Sequence, residues 1–184
     1  MSRAAVFLDR DGTLIRDYHF IGKPEMVELL PGAGPAVHRL NNLGLPVVIV
    51  TNQSGIARGY FTEADYERVR DRTEALLGEF GARIDASYMC PHHPDFIGPP
   101  PCECRKPGTL LFRRAAKDLD LDLVSSWYIG DTVRDVIPAR ELGGHGILVP
   151  SNRTPPEEIA LAARDFAVAG SLDEAVDRII ESAR

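Results

Sequence analysis

The sequence predicts an α/β fold, a parallel β-sheet covered by helices on both faces. Three observations carry that expectation. Short β-rich runs alternate with segments of helical periodicity along the chain, the order that parallel βαβ units require. Pro46–Val50 is a continuous apolar run rather than an alternating one, as expected of a strand covered on both sides. Two strand-like runs end in acid-bearing turns, Asp9-Arg10-Asp11-Gly12 and Gly130-Asp131, and open α/β sheets collect ligands beyond the carboxyl ends of their strands.

The elements follow in order. Ala4–Leu8 reads as the first strand. Ala33–Leu43 has helical spacing and stops at Gly44, before the Pro46–Val50 strand. Thr62 caps an amphipathic helix reaching Phe80, with Asp65 completing a capping-box-like start. Ala86–Met89 is a short strand, Thr109–Leu119 a helix, Trp127–Ile129 a strand, Arg134–Leu142 a helix and Gly146–Val149 a strand. Helices Glu157–Arg164 and Leu172–Ala183 close the chain, with an edge strand at Phe166–Val168. Gly98–Pro101 is a constrained loop rather than a linker. The result is a three-layer Rossmann-like sheet in one domain, 1–184.

Composition narrows the partners. A net charge of −6 argues against nucleic acid, whose phosphates attract clustered Lys and Arg, but leaves room for a small phosphorylated substrate in a local basic pocket. No apolar run approaches the ~20 residues of a membrane span, and no secretory leader is visible at the N-terminus. The expectation is a cytoplasmic monomer with no membrane partner.

The chemistry concentrates at strand ends. Residues two apart in an extended segment point the same way, so Asp9 and Asp11 converge just beyond the first strand. Paired carboxylates repel unless a cation sits between them, an arrangement that suits Mg²⁺ and also a carboxylate nucleophile. Thr51-Asn52-Gln53-Ser54 follows the Pro46–Val50 strand and offers a hydroxyl and turn amides to a phosphate. Arg105-Lys106-Pro107 offers a guanidinium fork and a point charge. Asp131 is placed to complete a metal site, and Asp135, one helical turn on, either supports it or caps the helix.

All three cysteines fall in Cys90-Pro91-His92 and Cys102-Glu103-Cys104. That clustering favours metal over disulfide. Cys90, His92, Cys102 and Cys104 fill a tetrahedral Cys₃His set and leave no position for water, which predicts a structural Zn²⁺; His93 is the alternative donor to His92. Arg105 and Lys106 follow the last ligand directly, so fixing the loop fixes these two cations.

Together the Asp9–Thr13 run, the strand-end Thr51, Lys106-Pro107 and Gly130-Asp131…Asp135 resemble the four motifs of the haloacid-dehalogenase-like phosphatase superfamily. The resemblance implies a nucleophile at Asp9, a general acid and base at Asp11, phosphoryl binding by Thr51 and Lys106, and Mg²⁺ held by Asp9, the backbone carbonyl of Asp11 and Asp131. Cys-Pro-His-His-Pro followed by Cys-Glu-Cys-Arg-Lys-Pro, with Thr51–Gly59, looks like the heptose-1,7-bisphosphate 7-phosphatase group and its sister histidinol-phosphate phosphatases, over Ala4 to about Val149. Within that group Asp17, Tyr18, His19, Phe20, Thr51, Asn52, Gln53, Ser54, Arg58, Arg105 and Lys106 match substrate-contacting segments. One departure stands out: Thr132 lies where such sequences often carry Lys. The tail beyond Val149 carries no recognised motif and reads as packing.

Many superfamily members bear a cap domain. Here Asp11 to Thr51 accommodates only a loop and a helix, and Thr51 to Lys106 only a helix, a strand and the cysteine loop, so the expected protein is capless. Its site is roofed by Arg16–Leu30, Gly55–Phe61 and Cys90–Lys106. Arg58, Arg105 and Lys106 could hold a second phosphate, which favours a sugar bisphosphate. The rival is histidinol phosphate; more distant are a phosphotransferase and a non-catalytic phosphate-binding module.

Overall fold

The computed structural model describes residues 2–97 and 102–182. Gly98–Pro101 and the end of the last helix at Ala183 lie outside the described residues. Six strands form one sheet: β1 (Val6–Leu8), β2 (Val47–Asn52), β3 (Ala86–Cys90), β4 (Trp127–Gly130), β5 (His145–Leu148) and β6 (Ala167–Val168). All pairings are parallel, in the order β3-β2-β1-β4-β5-β6. The helices are α1 (Ala33–Asn42), α2 (Glu63–Gly78), α3 (Pro94–Ile97), α4 (Leu110–Leu119), α5 (Val133–Leu142), α6 (Pro156–Ala162) and α7 (Leu172–Ser182).

Strand alternation sorts the helices into two layers. Val6 and Leu8 of β1 face a core built with Val47, Ile49 and Ile129, closed by Val37 and Leu40 of α1, Val69 of α2 and Val176 and Ile179 of α7. Phe7 faces the other way, onto Val48, Val50 and Tyr128, covered by Leu111 and Phe112 of α4 and Ala139 of α5. Phe7 stacks on Tyr128 with ring centroids 5.1 Å apart and meets Phe112 edge-on at 5.3 Å. Strand order reverses between β1 and β4, and this switch point opens the crevice in which such sheets bind ligands.

The expected elements are all present, with shifted ends. Ala4 and Ala5 fall outside β1, because the Ala5 amide donates to the Ser126 hydroxyl at 2.9 Å rather than to a strand. β2 runs on to Asn52, because Val50, Thr51 and Asn52 pair with Tyr88, Met89 and Cys90. Thr62 and Asp65 form the capping box of α2, which stops at Gly78, short of Phe80. Two short elements carried no periodic signal: α3 and a 3-10 turn at Pro24–Met26, each starting on a proline, whose fixed φ suits a helix start. Among the described residues the β1–α1 and β2–α2 connections hold no cap domain.

Replacing Phe7 by Ala removes the ring that joins β1 to α4 and β4. The expected cost is about 3–5 kcal/mol, measured by urea denaturation. Trimming the exposed Val124 to Ala should cost less than ~0.5 kcal/mol. Similar losses at both positions would refute this account of the core.

Candidate active site

At the switch point, β1 delivers Asp9 and β4 delivers Asp131, while the first turn of α5 delivers Asp135. Their carboxylate oxygens lie within 4.8 Å of one another and all three residues are buried. Two glycines permit this crowding. A Cβ at Gly130 would sit 2.2 Å from the Cβ of Asp135, and one at Gly12, where φ is +84°, would sit 2.3 Å from Asp131 Oδ2.

Lys106 Nζ enters the same cluster, 2.9 Å from Asp9 Oδ1, 2.8 Å from Asp135 Oδ1 and 2.6 Å from the Val50 carbonyl. Asn52 fixes the lysine backbone: its Oδ1 accepts from the Lys106 amide at 2.9 Å and its Nδ2 donates to the Lys106 carbonyl at 3.2 Å. Asp135 also accepts from the Thr132 amide and hydroxyl, so it caps α5 and faces the site at once. Asp131 is oriented from the tail, where Ser151 Oγ donates to Asp131 Oδ2 and Thr154 Oγ1 to its carbonyl, both at 2.7 Å. The tail is therefore more than packing.

Burial first, then the Asp135 and Asp11 charges, push Asp9 up to about 6 against the pull of Lys106. Burial and the Asp9 and Asp135 charges push Asp131 up to about 7. Burial opposes ionisation of Asp135 too, but Lys106 and Arg134 outweigh it and hold its pKa below the usual range. Burial likewise disfavours the Lys106 ammonium, and the Asp135 and Asp9 carboxylates more than reverse this. Burial above all, and then the acids' mutual repulsion, thus drives two of the three toward neutrality. Three converging carboxylates, an all-oxygen donor set, fit a hard divalent cation such as Mg²⁺.

Asp11 stands apart from the three-acid cluster. Its carboxylate pairs with Arg10 at 2.9 Å and accepts from Gln53 Nε2 at 2.8 Å. The same Gln53 amide donates to Thr51 Oγ1 at 2.8 Å. A cavity of about 240 Å³, the scale of a small phosphate ester rather than a polymer, brings together Asp9, Asp11, Asp17, His19, Phe20, Thr51, Asn52, Gln53, Ser54, Arg58, Arg105, Lys106 and Asp131. Tyr18 is the expected contact left out. Half exposed, it donates to Glu28 at 2.5 Å, because the backbone turns at Asp17, whose carboxylate accepts from the His19 amide at 2.7 Å. His93 and Arg134 also line the cavity and were missed. Arg134 lies one helical turn from Asp131, and Ser151 just past β5, both positions that strand-end reasoning could have flagged.

The cysteine loop forms a second candidate metal centre. Cys90, His92, Cys102 and Cys104 bring one donor atom each within 4.8 Å. Sulfur separations run from 2.7 to 3.5 Å, and His92 Nδ1 lies 3.1 Å from Cys102 Sγ and 3.3 Å from Cys104 Sγ. No disulfide is present among them. Against its burial, the Cys104 and His92 contacts bring the Cys102 thiol down to about 7, while burial pushes the Cys90 and Cys104 thiols up. The Cys₃His donor set and its convergence fit Zn²⁺. His93 turns the other way, to Arg58 at 2.8 Å.

Comparison with known proteins places the chain among relatives. The HAD-hydrolase-like family model matches residues 103–175. The D-glycero-β-D-manno-heptose-1,7-bisphosphate 7-phosphatase of Haemophilus ducreyi is 40% identical over 78% of this chain and 80% of its own length. The corresponding phosphatase of Rhodopseudomonas palustris is 38% identical over 90% of this chain and 91% of its own. The chain belongs to this phosphatase family. The crystal structure of a family member, the D,D-heptose 1,7-bisphosphate phosphatase of B. bronchiseptica with magnesium and phosphate, superposes with a TM-score of 0.87. It is 32% identical, covering 97% of this chain and 99% of that one. Among the described residues no helix is long and apolar enough to cross a membrane.

The carboxylate cluster makes stability depend on pH and cation. A carboxylate whose pKa rises on folding binds more protons in the native chain than in the unfolded one, so its contribution to stability falls as pH rises. For Asp9 and Asp131 that loss spans the interval from 3.8 up to about 6 and about 7. In EDTA, this component of stability should decline between about pH 4 and 7, and the Tm gain from Mg²⁺ should grow over the same range. Differential scanning fluorimetry giving equal Mg²⁺ shifts at about pH 5 and pH 8 would count against a shared carboxylate site.

Proposed function

We propose that the chain is a Mg²⁺-dependent phosphatase that removes the 7-phosphate of D-glycero-D-manno-heptose 1,7-bisphosphate by way of an aspartyl-phosphate on Asp9. The observation that carries this reading is the buried assembly of Asp9, Asp131, Asp135 and Lys106 at the floor of a cavity rimmed by Arg58, Arg105 and Arg134. The relatives' names support the substrate.

In this reading a carboxylate oxygen of Asp9 attacks phosphorus as the bond to the sugar oxygen breaks. Asp11 gives its proton to the departing alkoxide. It then takes a proton from the water that attacks the aspartyl-phosphate, which restores Asp9 and releases phosphate. Thr51 and Lys106 hold the transferring group, and Lys106 offsets its charge at no cost in reorganisation, being already fixed by Asp9, Asp135 and Val50. Asp9, Asp131 and the backbone carbonyl of Asp11 would hold Mg²⁺, with Asp135 beside them. When bound, the ion neutralises charge on the phosphoryl oxygens. Asp17, His19, Phe20, Asn52, Gln53, Ser54, Arg58 and Arg105 contact the rest of the substrate, with the guanidiniums placed for the second phosphate.

Zn²⁺ on Cys90, His92, Cys102 and Cys104 is structural in this reading and sets the loop that carries Arg105 and Lys106. Residues 1–184 act as a single cytoplasmic domain, a monomer without nucleic-acid or membrane partner.

Phosphate release with Mg²⁺ tests the reading on both anomers of the heptose bisphosphate and on histidinol phosphate. Preference for a heptose anomer is expected; the relatives' names favour β. Preference for histidinol phosphate would reassign the substrate and keep the chemistry. Asp9→Asn should lose on the order of 10³-fold or more in kcat while remaining folded; normal turnover by that variant would sink the nucleophile assignment.

Removal of Zn²⁺ addresses the loop. A chelator-treated protein, verified metal-free at the cysteines and re-supplied with Mg²⁺, should show KM raised about tenfold, ~1.4 kcal/mol, with a smaller change in kcat. Unchanged KM would remove the loop from substrate binding.

A further inference from the structure

We propose that Arg10 is a positioning residue for Asp11, holding the carboxylate where it serves as general acid and base. The inference rests on the reading of Asp11 given above. Arg10 lies between the two acids in sequence, and adjacent residues of a strand point to opposite faces. The turn reverses this. The amides of Leu14 and Ile15 donate to the Arg10 carbonyl at 2.9 and 3.1 Å, and the Gly12 amide to the Ile15 carbonyl at 2.8 Å. The guanidinium thereby meets its own neighbour. Nε and Nη2 reach Asp11 Oδ1 at 3.2 and 3.1 Å, and Nη2 reaches Oδ2 at 2.9 Å. Nη2 also donates to Gln53 Oε1 at 3.0 Å, while Gln53 Nε2 donates back to Asp11 Oδ2. The Tyr66 ring of α2 lies under the guanidinium, 5.4 Å from carbon to centroid.

Arg10 is 1% exposed, and its Nη1 has no hydrogen-bond partner. Burying a guanidinium this way is costly, and an apolar side chain of similar volume is often as stable. What the guanidinium adds is direction: a rigid fork that fixes both carboxylate oxygens, which Lys cannot reproduce. Gln53 extends the fork to Thr51, so the acid and the phosphoryl-binding hydroxyl share one hydrogen-bonded unit.

The test uses leaving groups. A sugar alkoxide needs a proton to depart, whereas p-nitrophenolate does not, and kcat/KM reports the steps up to phosphorylation of Asp9. Asp11→Asn calibrates the assay by depressing kcat/KM for the heptose bisphosphate far more than for p-nitrophenyl phosphate. Arg10→Lys should show the same selectivity: about tenfold or more lost on the sugar ester and less than ~3-fold on the aryl ester, within the range of acid–base effects. Equal losses on both esters from folded Arg10→Lys would make Arg10 merely structural and overturn the proposal. If Asp11→Asn shows no selectivity, the failure belongs to the reading of Asp11 instead. Should Arg10→Lys not fold, Tyr66 decides. Its hydroxyl has no hydrogen-bond partner, so Tyr66→Phe should match the parent, and Tyr66→Leu, which loses the ring face, should show the selective loss. Identical behaviour of the two Tyr66 variants overturns the proposal.

Discussion

The whole arrangement turns on one ammonium group buried among acids. Nothing in a parallel sheet obliges Asp9, Asp131 and Asp135 to sit together; repulsion and lost hydration both oppose it. Lys106 makes it tolerable by touching Asp9, Asp135 and the Val50 carbonyl together. It comes from outside the sheet's layers, on the segment that follows the last cysteine. The floor of the site therefore depends on two independent pieces of structure. The ends of β1 and β4 and the first turn of α5 set the acids, and the Cys/His loop together with Asn52 sets the cation.

The floor and the roof are built differently. Floor residues are buried, and Lys106, Asp131 and Asp135 each hold two or more polar partners, while Asp9 is held by Lys106. The roof is made of side chains that lean on one another. Arg58 lies 5.7 Å from the Phe20 ring and 5.5 Å from the Phe96 ring, and bonds His93. His19 and Phe20 both adopt positive φ, 64° and 57°, a conformation that costs each non-glycine residue roughly 1–2 kcal/mol. That strain is held by Asp17, which accepts from the His19 amide and pairs with Arg153 at 3.2 Å. Arg153, like Ser151 and Thr154, belongs to the tail, so the segment after β5 supports floor and roof together.

Periodicity made the sheet and its main helices legible, because burial on both faces leaves continuous apolar runs and the helices keep an apolar stripe. The acids at strand ends were legible for a related reason: an open sheet places its ligands there. What stayed hidden depended on contacts distant in sequence. Ser151 and Thr154 look like turn residues until β5 is seen to end beside Asp131. Tyr18 matched a segment pattern, yet its ring follows the turn set by Asp17 and points to Glu28. The strand rule assigns Arg10 the face opposite the two acids, so its contact with Asp11 shows only once the turn after β1 is in place. Asp135 was read as a cap or a support, and the two roles coincide in one side chain.

That coincidence bears on Thr132. The resemblance expects a lysine there often, and its absence removes a positive charge beside the acids. Thr132 supplies instead an amide and a hydroxyl, at 3.0 and 2.6 Å, to one oxygen of Asp135, leaving the other to face Lys106. The missing charge returns within the same turn of α5. Arg134 acts favourably on Asp135, Asp9 and Asp131, and their attraction, against the cost of its own burial, raises its pKa. Thr132 is the extended residue that caps α5, whereas Arg134 lies within the helix's first turn, so the two positions cannot serve the cavity in the same way. Arg134 lines the cavity, faces the same opening as Arg105, and each guanidinium feels the other's repulsion. Two like charges brought to one opening favour an anion between them, and the rim of this site is therefore better matched to a doubly phosphorylated ligand than a count of positive charges beside the metal ligands would suggest.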